Sequence, residues 1–275
     1  MNRIRSTSSW LFALVILLAL AGPLQAAPPP IPTPPTNGYD HYTILQAPNG
    51  NPDQTVFGTP DNDMIAQYGD TNTVTQYAEG VEGDDWLLQV GGEKTNNQTA
   101  ILGDGDDTVY QYGGNGNSHL YGEAGTGNDT IVQVGGVGAN YIEAVGGSGY
   151  CVIKQYGDSG PNTMKVTGGS GDDVIEMYGG PGTNTMTYNV SSGSDLVTIL
   201  GGGGYTTLSI YKRGNNFTLK DYRGRVLFQT GSGGTTITVA NLNRITVIGD
   251  AGKPIYTYNP GIVPASIAPL LLLGN

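Results

Sequence analysis

The chain has 275 residues, a formal net charge of −11 and a sequence pI near 4.4. Such acidity argues against nucleic acid and anionic membrane surfaces as partners. One cysteine excludes an internal disulfide, and 45 glycines beside 4 Phe and 2 Trp leave little material for a thick hydrophobic core.

Residues 1–26 have the layout of an export signal: Arg3 and Arg5, an apolar run from Trp10 to Ala21, then small residues. Cleavage after Ala26 removes two positive charges and no negative one, taking the net charge from −11 to −13. A secreted or cell-surface protein is expected. Residues 27–55 form a Pro-rich linker or N-terminal segment, stiff and extended at its start.

Residues 56–205 follow an 11-residue ruler. From Asp85 its marks are Asn96, Asp107, Ser118, Asp129, Asn140, Cys151, Asn162, Asp173, Asn184 and Asp195, with Asp63 one full period earlier. Acidic and carboxamide marks alternate, so the true repeat is 22 residues with two different halves. A fixed period of this length signals a solenoid of stacked coils. Gly83, Gly105, Gly127 and Gly171 each stand two residues before an Asp mark, where a tight turn needs positive φ or close backbone approach. Between turns, Ile65, Leu87, Val109, Ile131, Ile153 and Ile175 make an apolar column, and Gln67, Gln89, Gln111, Gln133 and Gln155 make a parallel one two residues on. Alternation of this kind between Gly-rich turns reads as short strands. The expected fold is all-β: a parallel β-solenoid of about seven 22-residue coils, with the Gln column stacked as an internal amide ladder.

After Tyr205 the rhythm fails. Residues 206–258 still alternate as strands but carry most of the basic residues, and they read as a β-rich C-terminal cap over the solenoid's open end. The tail, 259–275, is apolar but interrupted by Pro264 and Pro269, and is too short to span a bilayer.

The acidic edge carries the chemistry. Gly168-Gly-Ser-Gly-Asp-Asp-Val-Ile-Glu176 matches the nonapeptide G-G-x-G-x-D-x-U-x at every fixed position. Gly103-Asp-Gly-Asp-Asp-Thr-Val-Tyr110 and Gly125-Thr-Gly-Asn-Asp-Thr-Ile-Val132 match it except at the first glycine, and Gly80-Val-Glu-Gly-Asp-Asp-Trp-Leu-Leu88 lacks the second. This run resembles the haemolysin-type (RTX) calcium-binding repeat. The resemblance implies Ca²⁺ held between successive turns, with Asp63, Asp85, Asp107, Asp129, Asp173 and Asp195 as ligands and the turn glycines freeing carbonyls. Independently, carboxylates stacked roughly 4.8 Å apart repel by about 3.5 kcal/mol at an effective dielectric near 20, which protons, water or cations must relieve. Three departures stand out. The half-coil is eleven residues, the second edge carries Asn or Ser, and Cys151 interrupts the acidic column.

A second resemblance covers the Gln half of the repeat. Gln67-Tyr-Gly-Asp-Thr-Asn and Gln111-Tyr-Gly-Gly-Asn-Gly-Asn look like curlin repeats, which implies self-association into extracellular fibres. Catalysis is not expected: His41 and His119 are the only histidines, and no nucleophile or zinc spacing appears. A polysaccharide-acting β-helix enzyme is the remote alternative. The expected function is a calcium-binding solenoid serving as a surface, matrix or adhesion module, facing extracellular carbohydrate or protein. An outward tyrosine column, Tyr68, Tyr112, Tyr156 and Tyr178, is one candidate contact surface.

Overall fold

The structure, a computed structural model, describes residues 27–46 and 53–259. The expected export signal and all but the first residue of the apolar tail lie outside the described residues.

Each coil contributes one strand to each of two sheets. The first coils are β1 (His41–Gln46) with β2 (Asp53–Phe57), β3 (Asp63–Tyr68) with β4 (Val74–Glu79), and β5 (Trp86–Val90) with β6 (Asn96–Ile101). Then come β7 (Thr108–Tyr112) with β8 (Ser118–Glu123), β9 (Thr130–Val134) with β10 (Asn140–Val145), and β11 (Val152–Tyr156) with β12 (Asn162–Thr167). β13 (Val174–Tyr178) with β14 (Asn184–Asn189) and β15 (Leu196–Leu200) with β16 (Thr206–Tyr211) complete the regular part. The remainder is β17 (Phe217–Asp221), β18 (Val226–Gln229), β19 (Thr235–Ala240), β20 (Arg244–Ile248) and β21 (Pro254–Tyr258).

Neighbouring strands of the regular part pair in parallel at the 22-residue offset, as in Leu87↔Val109 and Asn140↔Asn162. The fold is therefore the expected parallel β-solenoid, but with about nine turns rather than about seven. Both extra turns lie where the marker residues change. β1 keeps the register with His41 opposite Asp63, within the Pro-rich linker or N-terminal segment expected over 27–55. The ninth turn is β19 and β20, parallel to β15 and β16. Its mark, Thr235, stands 40 residues after Asp195 instead of 22, because β17 and β18 are inserted between them. Beyond the ninth turn β17 continues in parallel, while β18 and β21 pair antiparallel, each with a register shift that interrupts its ladder.

The core is a thin double layer. Leu87, Val109, Leu120, Ile131, Ile142, Ile153, Met164, Ile175 and Met186 are all fully buried between the sheets. The Gln ladder runs beside them: Gln89, Gln111, Gln133 and Gln155 each donate from Nε2 to Oε1 of the Gln one coil earlier, at 2.7–2.9 Å. Each Nε2 also reaches a carbonyl of the opposite sheet, such as Tyr121 O for Gln111. Burial of an amide is tolerable only with such pairing, which is complete along the ladder except at its last oxygen, Gln155 Oε1. A second ladder, Gln54–Gln76–Gln98, runs in the other sheet at 2.9 Å per step.

The tyrosine column is less open than its parity implies. Tyr112 and Tyr156 are buried in an apolar layer on the outer face of the first sheet, with Trp86, Leu88, Val132 and Val134. The Pro-rich segment lies across part of that face, where Tyr112 donates its hydroxyl to Pro30 O at 2.8 Å. Among the described residues no helix is long and apolar enough to cross a membrane.

Candidate functional site

The six predicted ligands form one column, as expected, but they point inward. Asp63, Asp85, Asp107, Asp129, Asp173 and Asp195 are 1–4% exposed. Strand parity explains this: Asp85 precedes Leu87 and Gln89 by two and four residues, and all three share the core face. Every one of these carboxylates except that of Asp63 serves as a staple between coils. The backbone N–H of Asp63 donates to Asp85 Oδ1 at 2.8 Å, that of Asp85 to Asp107 Oδ1 at 2.7 Å, and that of Asp107 to Asp129 Oδ1 at 3.1 Å. Further along, Cys151 N–H donates to Asp173 Oδ1 at 2.9 Å and Asp173 N–H to Asp195 Oδ1 at 3.1 Å.

The second oxygen divides the column. Asp63 Oδ2 accepts from the N–H and hydroxyl of Thr59, and Asp173 Oδ2 from Gly169 N–H. Asp195 Oδ2 accepts from the hydroxyls of Tyr188, Ser191 and Thr235. The middle three differ: no well-formed hydrogen bond reaches the buried Oδ2 of Asp85, Asp107 or Asp129, although the N–H groups of Val81 and Gly125 lie near enough to Asp85 and Asp129 to offset part of the cost of their burial. Burial raises the pKa of Asp85 to about 6, of Asp107 to about 7 and of Asp129 to about 6. For Asp107 the neighbouring charges of Asp85 and Asp129 add to that rise. These three carboxyls hold protons near neutral pH far better than a solvated Asp does.

The glycines are needed for two distinct reasons. Gly83, Gly105 and Gly127 have φ of +94°, +143° and +123°, the left-handed side that favours glycine. Gly171 lacks that need, but a Cβ there would lie 2.0 Å from Gly149 O of the previous coil. The turns therefore stack in van der Waals contact. Their carbonyls are also spent on the next coil, as Gly103 O accepts from Thr126 N–H at 3.0 Å.

This closed stacking bears on a metal. Calcium takes six to eight oxygen ligands, and the column offers one unpaired carboxylate oxygen in each of three coils and none in the others. Among the described residues no group of three or more His, Cys, Asp or Glu side chains is placed to hold a metal ion. The donor set as packed does not fit a turn-bridging calcium; the unpaired oxygens of Asp85, Asp107 and Asp129 are the feature that a proton or a cation would satisfy.

The opposite edge does the same mechanical work without charge. Asn140 accepts from Gly136 N–H at 2.8 Å and donates to Gly136 O, Gly138 O and Asn162 Oδ1. Asn162 and Asn184 repeat the pattern and pass it on to Thr206. Cys151 fits the acidic column because it needs only to accept Gly147 N–H, at 3.4 Å; burial lifts its thiol to about 11. Outside the turns, Asp84 and Asp106 form an exposed second acidic column, in which Asp106 N–H donates to Asp84 Oδ1 at 2.9 Å.

No family model matches the chain, and neither a curated protein nor a solved structure matches it. The RTX and curlin resemblances therefore rest on the residues quoted for them alone.

Proposed function

We propose that this chain is an extracellular, non-enzymatic structural module: a stiff β-solenoid rod that works at a surface, in a matrix or in adhesion. The observation that carries the reading is the use made of its polar columns. The Asp, Asn and Gln side chains that a binding or catalytic site would present to solvent are instead spent on bonding coil to coil. A curlin-like fibre is supported less well, because its coils must stack end on end. Here one end finishes in antiparallel β18 and β21, both with register shifts and with Arg223, Arg225, Lys253 and Pro254 beside them. Charges, proline and irregular register on an edge oppose further strand pairing.

A second reading, calcium binding along the acidic column, is favoured by one observation: the unpaired Oδ2 atoms of Asp85, Asp107 and Asp129. Accommodating the ion requires the turns to open from their closed stacking. Circular dichroism melts in chelator, Mg²⁺ and Ca²⁺ separate the two readings. The rod reading expects full β signal and an unchanged melt in chelator. A chain that acquires β structure only on adding Ca²⁺ overturns that order in favour of the calcium module, and thioflavin-positive fibres favour the curlin reading.

A further inference from the structure

Charge is divided sharply along the rod. Residues 27–205 hold 21 acidic side chains and 3 basic ones, whereas residues 206–258 hold 7 basic side chains and 2 acidic ones, Asp221 and Asp250. A chain whose net charge is strongly negative therefore ends in a locally positive cap.

The cap's cations gather around tyrosines at one corner. Arg225 is held by Asp221, with Nε 3.0 Å from Oδ2, and donates from Nη2 to the Tyr258 hydroxyl at 3.3 Å. That contact joins the β17–β18 turn to the last strand of the other sheet. Tyr258 pairs with Ile245, which faces the core, so Arg244 at the start of β20 points from the opposite face of that sheet and stands apart from this corner. Arg223 lies over the Tyr222 ring, 5.1 Å from its centroid, and Lys220 pairs with Val226 beside it. Arg223, Arg225 and Arg244 are exposed, while Tyr222 and Tyr258 are half-buried. Three cations, Lys220, Arg223 and Arg225, thus stand on or beside one hairpin, two of them against tyrosines, with Asp221 as the only acid in the group.

We propose that this corner is a binding site for an acidic polysaccharide, one bearing carboxylate or sulfate groups. Guanidinium forks suit planar or multidentate oxyanions, and half-buried tyrosine rings offer flat apolar faces and hydroxyls suited to sugar rings. The acidic body repels the same polymer, so charge complementarity confines contact to the cap and orients the rod end-on. The inference deepens the adhesion reading and rests on it only for placing the chain outside the cell.

The test is binding of the full purified protein to a polyuronate, with a neutral glucan as control, followed by calorimetry or polarisation across a salt series. Binding to the polyuronate alone, falling at least tenfold between 50 and 300 mM salt (about the loss that a few released counterions produce), is the expected result. Lys220→Glu with Arg223→Glu abolishes it without changing the melt, whereas Arg213→Glu, at another corner of the cap, weakens it less than threefold. No binding at low salt overturns the proposal. So does equal binding of the neutral glucan, or loss of binding only when Arg213 is changed. If the low-salt protein instead associates with itself and the double variant abolishes that, the cap's partner is the acidic body of a second copy and the polysaccharide assignment fails. None of these outcomes touches the chelator melt, so failure here and failure of the structural-rod reading are distinguishable.

Discussion

Asp107→Asn is expected to stabilise this protein at pH 8, the opposite of what loss of a metal ligand does. In the folded chain burial lifts the Asp107 pKa to about 7 from 3.8. Between those two values the native state holds a proton that the unfolded chain has released, so stability falls as pH rises through that window and levels off above it. At about 1.36 kcal/mol per unit the ceiling is ~4 kcal/mol, and relaxation of the neighbouring carboxyls makes about 2–4 kcal/mol the expected loss. An asparagine carries no such penalty. Its Oδ1 still accepts Asp85 N–H, and its neutral Nδ2 takes the place of the unpaired oxygen; Cys151 shows that the same column accepts a buried neutral side chain. The assay is thermal melting of both proteins in chelator from pH 4 to pH 8. The variant gains about 5–10 °C at pH 8, and the gain shrinks towards zero at pH 4, where Asp107 is protonated in the folded state and nearly half protonated in the unfolded one. A variant that melts lower at pH 8 in chelator, or an advantage that does not change with pH, refutes the reasoning.

Three further outcomes follow from the same geometry. Gln111→Ala removes the middle rung of the long ladder, leaving Gln89 Oε1 and Gln133 Nε2 without their partners. It should cost about 2–4 kcal/mol in denaturant melts, and a loss under 1 kcal/mol would show that the ladder merely fills space. Gly127→Ala places a Cβ 1.9 Å from Gly105 O at a φ of +123°. A loss of about 3 kcal/mol or more is expected, and wild-type stability would mean that the turns are not stacked so closely. Tyr112→Phe deletes the hydroxyl that holds Pro30 O. It should raise the rate of proteolysis within residues 27–36 several-fold while leaving the melt within about 1 kcal/mol; an unchanged cleavage rate counts against the strap.

The regular coils were legible because the chain marks every one with the same residue types at the same interval. Leu87, Val109 and Ile131 sit in the core as their spacing requires, and Gln67 to Gln155 bond as a ladder. The outer turns were hidden where the mark changes chemistry. His41 replaces the Asp in β1, and the step from Asp195 to Thr235 is stretched by an inserted pair of strands. A periodicity argument reads identity at fixed spacing, whereas the backbone ladder tolerates any residue that keeps the register. The second ladder was visible as Gln54, Gln76 and Gln98, each 22 apart, but it is too short to stand out from composition. The direction of the Asp side chains was also written in the sequence. Asp85, Leu87 and Gln89 are of one parity, and an inward leucine requires an inward aspartate; the turn motif drew attention to the ligand type and away from the face it occupies.

The two edges then pose a comparison that the chain itself supplies. Asn140, Asn162 and Asn184 show that a neutral side chain staples the turns of the other edge, where the backbone N–H of each Asn goes to a carbonyl, as Asn140 N–H does to Pro161 O, and not to a side chain. On the acidic edge each carboxylate accepts from a backbone N–H, and the staple is weakened at neutral pH only where its second oxygen is buried without a donor. At Asp173 and Asp195 the deficit is filled by Gly169 N–H and by the hydroxyls of Tyr188, Ser191 and Thr235. At Asp85, Asp107 and Asp129 it is not. Stability alone would be better served by asparagine at these three positions. What the acid confers there is a response to pH: the middle of one edge tightens when a proton is supplied and loosens when it is lost. The substitution Asp107→Asn therefore measures more than one bond, since it separates a rod built only for stiffness from one whose stiffness depends on the medium around it.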